Sequence, residues 1–141
     1  MEKHIFTILS AEDDLDDQFL IKEAIEEAGI EASVSFVSDG EALIEKLTDQ
    51  YKGSLPDILL LDLNMPVMDG ITVLKVLRER RELDDLPVII LTTSSNQSEI
   101  DQCYSLGAKS FITKPSSFKG MVEVVKSFGS FKENRVPASE K

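Results

Sequence analysis

Apolar residues fall along this chain in two alternating kinds of run. The first kind is short and continuous: Ile5 to Leu9, Val34 to Val37, Ile58 to Leu61, Val88 to Leu91, and Phe111-Ile112-Thr113. Such runs, bounded by turn formers, predict strands buried on both faces. The second kind has helical spacing: Ile21, Ala24, Ile25 and Ala28 before Gly29; Ala42, Leu43, Ile44 and Leu47; Ile71, Leu74 and Leu77; Ile100 and Cys103 before Gly107; Phe118, Met121, Val122 and Val125, ending near Phe128. Five helices follow, two of them stopped by glycine. Ser38-Asp39-Gly40-Glu41 has capping-box spacing with Ser38 as cap, and Asn96 with Glu99 suits the start of the fourth helix. Asp16 and Asp17 lie near the start of the first helix, where the helix dipole accounts for both. Strands alternating with helices imply right-handed crossovers and a parallel sheet covered on both faces. Residues 1–129 read as one domain, and 130–141 as a loose polar tail containing Pro137.

Composition narrows the class of partner. With 42% hydrophobic and 29% charged residues, 141 residues suffice for one globular core. A net charge of -11 argues against a surface for nucleic acid or an anionic membrane, and favours a cation or a basic partner. Cys103 is the only cysteine, so no internal disulfide and no cysteine cluster for zinc can form. It reads as a packed residue, and the chain as cytoplasmic. His4 precedes the first strand and reads as a surface residue. The apolar start is too short for a signal peptide, and no run approaches the roughly 18 residues of a membrane span.

The polar residues at the strand ends carry the chemistry. Strand one runs into Glu12-Asp13, strand three ends at Asp62, strand four at Thr92-Thr93, and strand five at Lys114-Pro115. In a parallel sheet these ends share one edge, where open α/β folds bind ligands. Each has a bland explanation alone, Asp62 as a turn cap for instance, but their convergence is harder to dismiss. Converging carboxylates repel one another, and a hard divalent cation relieves them. An all-oxygen site suits magnesium, and a lysine and a hydroxyl beside it suit the remaining oxygens of a phosphoryl group. The chemistry that fits is phosphoryl transfer involving a carboxylate.

The ordered set of an acidic pair, Asp62-Leu63-Asn64-Met65-Pro66-Val67-Met68-Asp69-Gly70, Thr92 and Lys114-Pro115 resembles the receiver domain of response regulators, from about Ile5 to Phe128. That resemblance implies a doubly wound (βα)5 flavodoxin-like sandwich with strand order 2-1-3-4-5. It also implies that Asp62 accepts a phosphoryl group from a sensor histidine kinase or phosphotransfer protein. Glu12, Asp13, Asp62 and the backbone carbonyl of Asn64 would hold Mg2+, and Asp14 aligns one place too late to join them. Thr92 and Lys114 would contact the phosphoryl oxygens, Phe111 would be the aromatic switch, and Pro115 would follow a cis peptide bond. The expected role is a single-domain switch of a two-component system or phosphorelay, not an enzyme, with output through the face of helix four, strand five and helix five. The likeness extends to the stand-alone receivers that work with phytochrome-type kinases. Phe128 and Phe131 motivate homodimerisation on the output face. Ser10-Ala11 and Thr93 depart from the family's usual residues, Thr93 being bulkier than the common choice.

Three rivals share parts of this pattern. A haloacid-dehalogenase-like phosphatase needs a second Asp two places after the nucleophile, where this chain has Asn64. A flavodoxin would need an aromatic side chain in a strand-end loop to stack on its ring; the chain has no Trp, and Tyr51 and Tyr104 are misplaced for that. A phosphate-independent protein-binding module on the same fold is the remaining alternative.

Overall fold

A computed structural model describes residues 5–49, 55–80 and 83–128. The strands are β1 (Phe6–Ala11), β2 (Ala32–Val37), β3 (Ile58–Leu61), β4 (Val88–Thr92) and β5 (Ser110–Thr113). They alternate with α1 (Leu15–Ala28), α2 (Gly40–Asp49), α3 (Gly70–Arg78), α4 (Gln97–Ser105) and α5 (Phe118–Ser127). The sheet order is β2-β1-β3-β4-β5, with every neighbouring pair parallel. This is the doubly wound flavodoxin-like fold with the expected strand order.

The two faces of β3 explain its unbroken hydrophobicity. Leu59 and Leu61 pack with Leu9, Val73, Leu74 and Ile90 on one side, while Ile58 and Leu60 pack with Ile8, Ile21, Ile89 and Val125 on the other. Successive side chains of a strand point to opposite faces, so a strand covered by helices on both has no polar position. Burying each of these residues contributes roughly 1.5–3 kcal/mol. Asp57 and Asp62 bracket β3 and meet different fates. At the N-terminal edge, Asp57 Oδ2 accepts from the Thr7 N–H at 2.7 Å and ties β3 to β1. Asp62 leaves the opposite edge, where the functional residues collect.

Local details differ from the periodicity at several ends. β1 runs on to Ala11, since Ser10 and Ala11 are buried and the Glu12 N–H donates to the Val37 carbonyl at 2.9 Å. α1 starts at Leu15 because the Asp14 carboxylate caps the N–H groups of Asp16 and Asp17. The cap of α2 is Asp39, not Ser38: Asp39 Oδ1 accepts from the Ala42 N–H at 2.7 Å. Asn96 caps α4 as expected. Phe118 stands outside the buried stripe of α5, 41% exposed at the helix start, and the stripe comprises Met121, Val122, Val125 and Phe128. Phe128 is fully buried against the α1–α5 layer, so core packing accounts for it; Phe131, Tyr51, His4 and the tail lie outside the described residues. Cys103 is buried, and burial, with the Glu99 charge adding, pushes its thiol up to about 11. It is a packed residue, as its surroundings in sequence suggested.

The turn after β3 is held close to the strand it leaves. The Gly70 N–H donates to the Leu63 carbonyl at 3.0 Å, and a Cβ at Gly70 would lie 2.6 Å from the Asp62 carbonyl oxygen and 2.7 Å from Leu63 Cα. Both obstacles are backbone, so neither can rotate away. Gly70→Ala is expected to destabilise the fold by about 2 kcal/mol through this overpacking. A denaturant midpoint unchanged in Gly70→Ala would contradict the close approach.

Candidate functional site

Glu12 follows β1 and is 2% exposed, and Asp62 follows β3 and is 5% exposed. Asp13 beside them is exposed. One oxygen from each of Glu12, Asp13 and Asp62 can be chosen so that all three lie within 4.8 Å of one another. Lys114, entering from the end of β5, meets two of them: Nζ is 2.7 Å from Glu12 Oε1 and 3.1 Å from Asp62 Oδ2. Its own N–H donates to the Thr92 carbonyl at 2.7 Å, which fixes where the side chain starts. Asp62 Oδ1 accepts from the Asn64 N–H at 3.1 Å. Thr92 is fully buried, and its hydroxyl has no hydrogen-bond partner among the described residues. A buried hydroxyl without a partner costs about 1–3 kcal/mol, so the site carries a cost that a ligand oxygen would relieve.

Backbone geometry supports these positions. The Glu12 carbonyl accepts from Gln18 Nε2 at 2.7 Å, and Glu12 Oε2 accepts from the Asp14 N–H at 3.1 Å. After β3 the chain makes a tight turn in which the Met68 N–H donates to the Pro66 carbonyl at 2.7 Å, with Val67 at φ 68. A β-branched residue in that region is strained, and Val67 is 75% exposed at the turn's tip. The Lys114–Pro115 peptide is trans, correcting the expected cis bond; Lys114 reaches the carboxylates without it. Pro115 lies against α5 at Gly120, where a Cβ would come 2.7 Å from Pro115 Cβ. Thr93 is exposed, and the Ser94 hydroxyl donates to the Glu99 carboxylate in the loop before α4.

Phe111 is half-buried against the layer under α2, α3 and α4, in register with Ile90 on β4. Its N–H donates to the Tyr104 hydroxyl at 3.0 Å. Tyr104 thus supplies a phenol beside a position that, as Phe, has none of its own. Asp17 also belongs to this site. Its Oδ2 lies 2.7 Å from Lys114 Nζ, making it a third carboxylate on that ammonium. A signal for it existed, since Asp17 is four residues before Ile21 and seven before Ala24, both buried, and therefore shares their helix face.

Charge in this site is unevenly matched. Burial pushes Glu12 up to about 7 from an ordinary 4.5, Lys114 and the Asp14 N–H oppose that rise, and the Asp62 charge adds to it. The carboxylates around Lys114 hold its ammonium above the usual lysine range despite burial. An oxygen-only trio of carboxylates is the donor set of a hard divalent cation, so these residues fit one.

A profile of the response regulator receiver domain matches residues 8–126. The chain belongs to the response regulator receiver family. Response regulator Rcp1 of Synechocystis is 33% identical over 127 residues, covering 88% of this chain and 86% of that protein. The crystal structure of the phosphorylated cyanobacterial phytochrome response regulator RcpA superposes with a TM-score of 0.83 at 31% identity, covering 95% of this receiver chain and 98% of that one. RPA3017, a response regulator in red light signalling of R. palustris, gives a TM-score of 0.81 at 35% identity, covering 93% and 96%. A solved structure of Rcp1 is a Mn(2+)-bound form, with a TM-score of 0.79 at 31% identity, covering 93% and 96%. A phytochrome response regulator and a regulator in red light signalling are thus among the solved structures it resembles. Among the described residues, no helix is long and apolar enough to cross a membrane.

The raised Glu12 makes the metal-free receiver pH-dependent. A carboxyl whose folded pKa exceeds its unfolded value contributes stability that is present below about 4.5 and lost as pH rises through about 7. In the absence of metal, Glu12→Gln should therefore gain in thermal midpoint relative to the parent as pH is raised from about 5 to about 8. A difference between the two that does not change with pH would contradict this assignment.

Proposed function

We propose that this receiver is a phosphorylation-driven switch of a two-component system or phosphorelay. In this reading Asp62 accepts a phosphoryl group from a phosphohistidine on a sensor histidine kinase or phosphotransfer protein. The observation that supports it most is the meeting of Asp62 with Lys114 at 3.1 Å beside Glu12 and Asp13, with the Thr92 hydroxyl buried and unpartnered at the end of the neighbouring strand. No bland account of a turn-capping Asp requires all four.

The chemistry follows from charge. An Asp62 oxygen attacks phosphorus, the phosphorus–nitrogen bond breaks, and the electron pair leaves with the imidazole, producing a mixed carboxylic–phosphoric anhydride. Glu12, Asp13, Asp62 and the Asn64 carbonyl would hold Mg2+, which when bound neutralises charge on the transferring phosphoryl oxygens. Lys114 moves from carboxylate to phosphoryl oxygen, and the Thr92 hydroxyl donates to another, ending its isolation. Movement of Thr92 toward the phosphoryl group vacates space into which Phe111 can turn, carrying the change to the surface of α4, β5 and α5. The protein assists its own phosphorylation and dephosphorylation but acts as a switch and not as a turnover enzyme, in the cytoplasm where kinase phosphohistidines are presented.

Incubation with Mg2+ and acetyl phosphate, or with a phosphorylated kinase, should yield a base-labile phosphoprotein. Asp62→Asn should lose the adduct, and omission of Mg2+ should lower its initial rate of formation at least tenfold, about 1.4 kcal/mol or more in activation free energy. Intact-mass measurement checks both. A parent chain that takes no label under either donor would favour a phosphate-independent binding module, and labelling undiminished in Asp62→Asn would refute the assignment.

A further inference from the structure

Lys114 has three N–H donors and three carboxylates around it, Glu12 and Asp17 at 2.7 Å and Asp62 at 3.1 Å, with its side chain only 9% exposed. Two of these partners belong to the trio whose oxygens converge for a cation, and Asp17 does not. A divalent cation on that trio competes for the oxygens of Glu12 and Asp62 and repels the ammonium. Without another partner, Lys114 would be left charged, buried and unpaired, which is costly.

We infer that Asp17 is a positioning residue for Lys114, holding the ammonium on the α1 side of the site so that Glu12 and Asp62 can turn to a divalent cation. The inference rests on the metal-binding reading above. Asp17 is placed for this by the start of α1. Asp14 caps the helix through the N–H groups of Asp16 and Asp17, so the helical turn that follows directs Asp17 along the face of Ile21 and Ala24 while Asp16 remains exposed. The contact joins residues 97 positions apart and ties α1 to the loop between β5 and α5. It does not involve Asp62.

Calorimetric titration of the full chain with Mg2+ alone tests this, using Asp17→Asn against Asp16→Asn. Both substitutions remove one negative charge from the first turn of α1, but only the first releases Lys114. Asp17→Asn should weaken Mg2+ binding roughly three- to tenfold more than Asp16→Asn, because Lys114 then competes undivided for Glu12 and Asp62. In a Lys114→Met background the two substitutions should have equal effects. Without metal, a double-mutant cycle of Asp17→Asn and Lys114→Met on the thermal midpoint should show favourable coupling. Equal Mg2+ affinities for Asp17→Asn and Asp16→Asn in the parent background would overturn the inference alone, and that comparison needs no Lys114 variant. Persistence of the excess loss without Lys114 would overturn it too, placing Asp17 on the cation itself. A parent chain that binds no Mg2+ would overturn the reading of the site and the inference with it.

Discussion

Four carboxylates and one ammonium decide how the functional edge of this receiver is built. Glu12, Asp17 and Asp62 contact Lys114, and Asp13 completes a trio with Glu12 and Asp62. Two like charges about 4 Å apart near a protein surface repel by roughly 4 kcal/mol, so one lysine cannot fully compensate this group. Burial adds to the cost of holding these charges together, and raises Glu12 to about 7. Excess negative charge around one buried ammonium is the electrostatic setting that a divalent cation relieves.

The fold maintains that tension because its components arrive on different elements. Four parallel strands, β1, β3, β4 and β5, deliver Glu12, Asp62, Thr92 and Lys114 to one edge, and the layers on either side of β3 resist any shift in register. Asp57 on the opposite edge shows that position along the strand matters as much as residue type: it is satisfied by Thr7 of β1. The turn after Asp62 is equally constrained, since Gly70 packs against the Asp62 carbonyl and leaves no room for a side chain. Stability and chemistry therefore share the same residues at this edge.

Much of the fold was legible because period and burial are linked. The continuous run Ile58 to Leu61 marked a strand covered on both faces, and Met121, Val122 and Val125 marked the buried face of α5. Element ends are less legible. Asp39 caps α2 in place of Ser38, and Phe118 is exposed although it extends the apolar spacing, because the direction in which the chain enters a helix, not its composition, selects the cap and the first buried residue. The helix dipole favours any acid in a first helical turn, so it does not distinguish Asp17 from Asp16.

The amino-acid sequence by itself determined the alternation of strand and helix, the two-sided burial of the central strands, and the identities of Glu12, Asp13, Asp62, Thr92 and Lys114 as residues at strand ends. These are properties of local spacing, and they can be read one segment at a time. Tertiary structure alone decided which carboxylates share Lys114, that the Thr92 hydroxyl stays without a partner, that the peptide before Pro115 is trans, and that Tyr104 reaches the Phe111 N–H. Each of these depends on a distance or bond geometry set when separate elements pack together, and no local period encodes it.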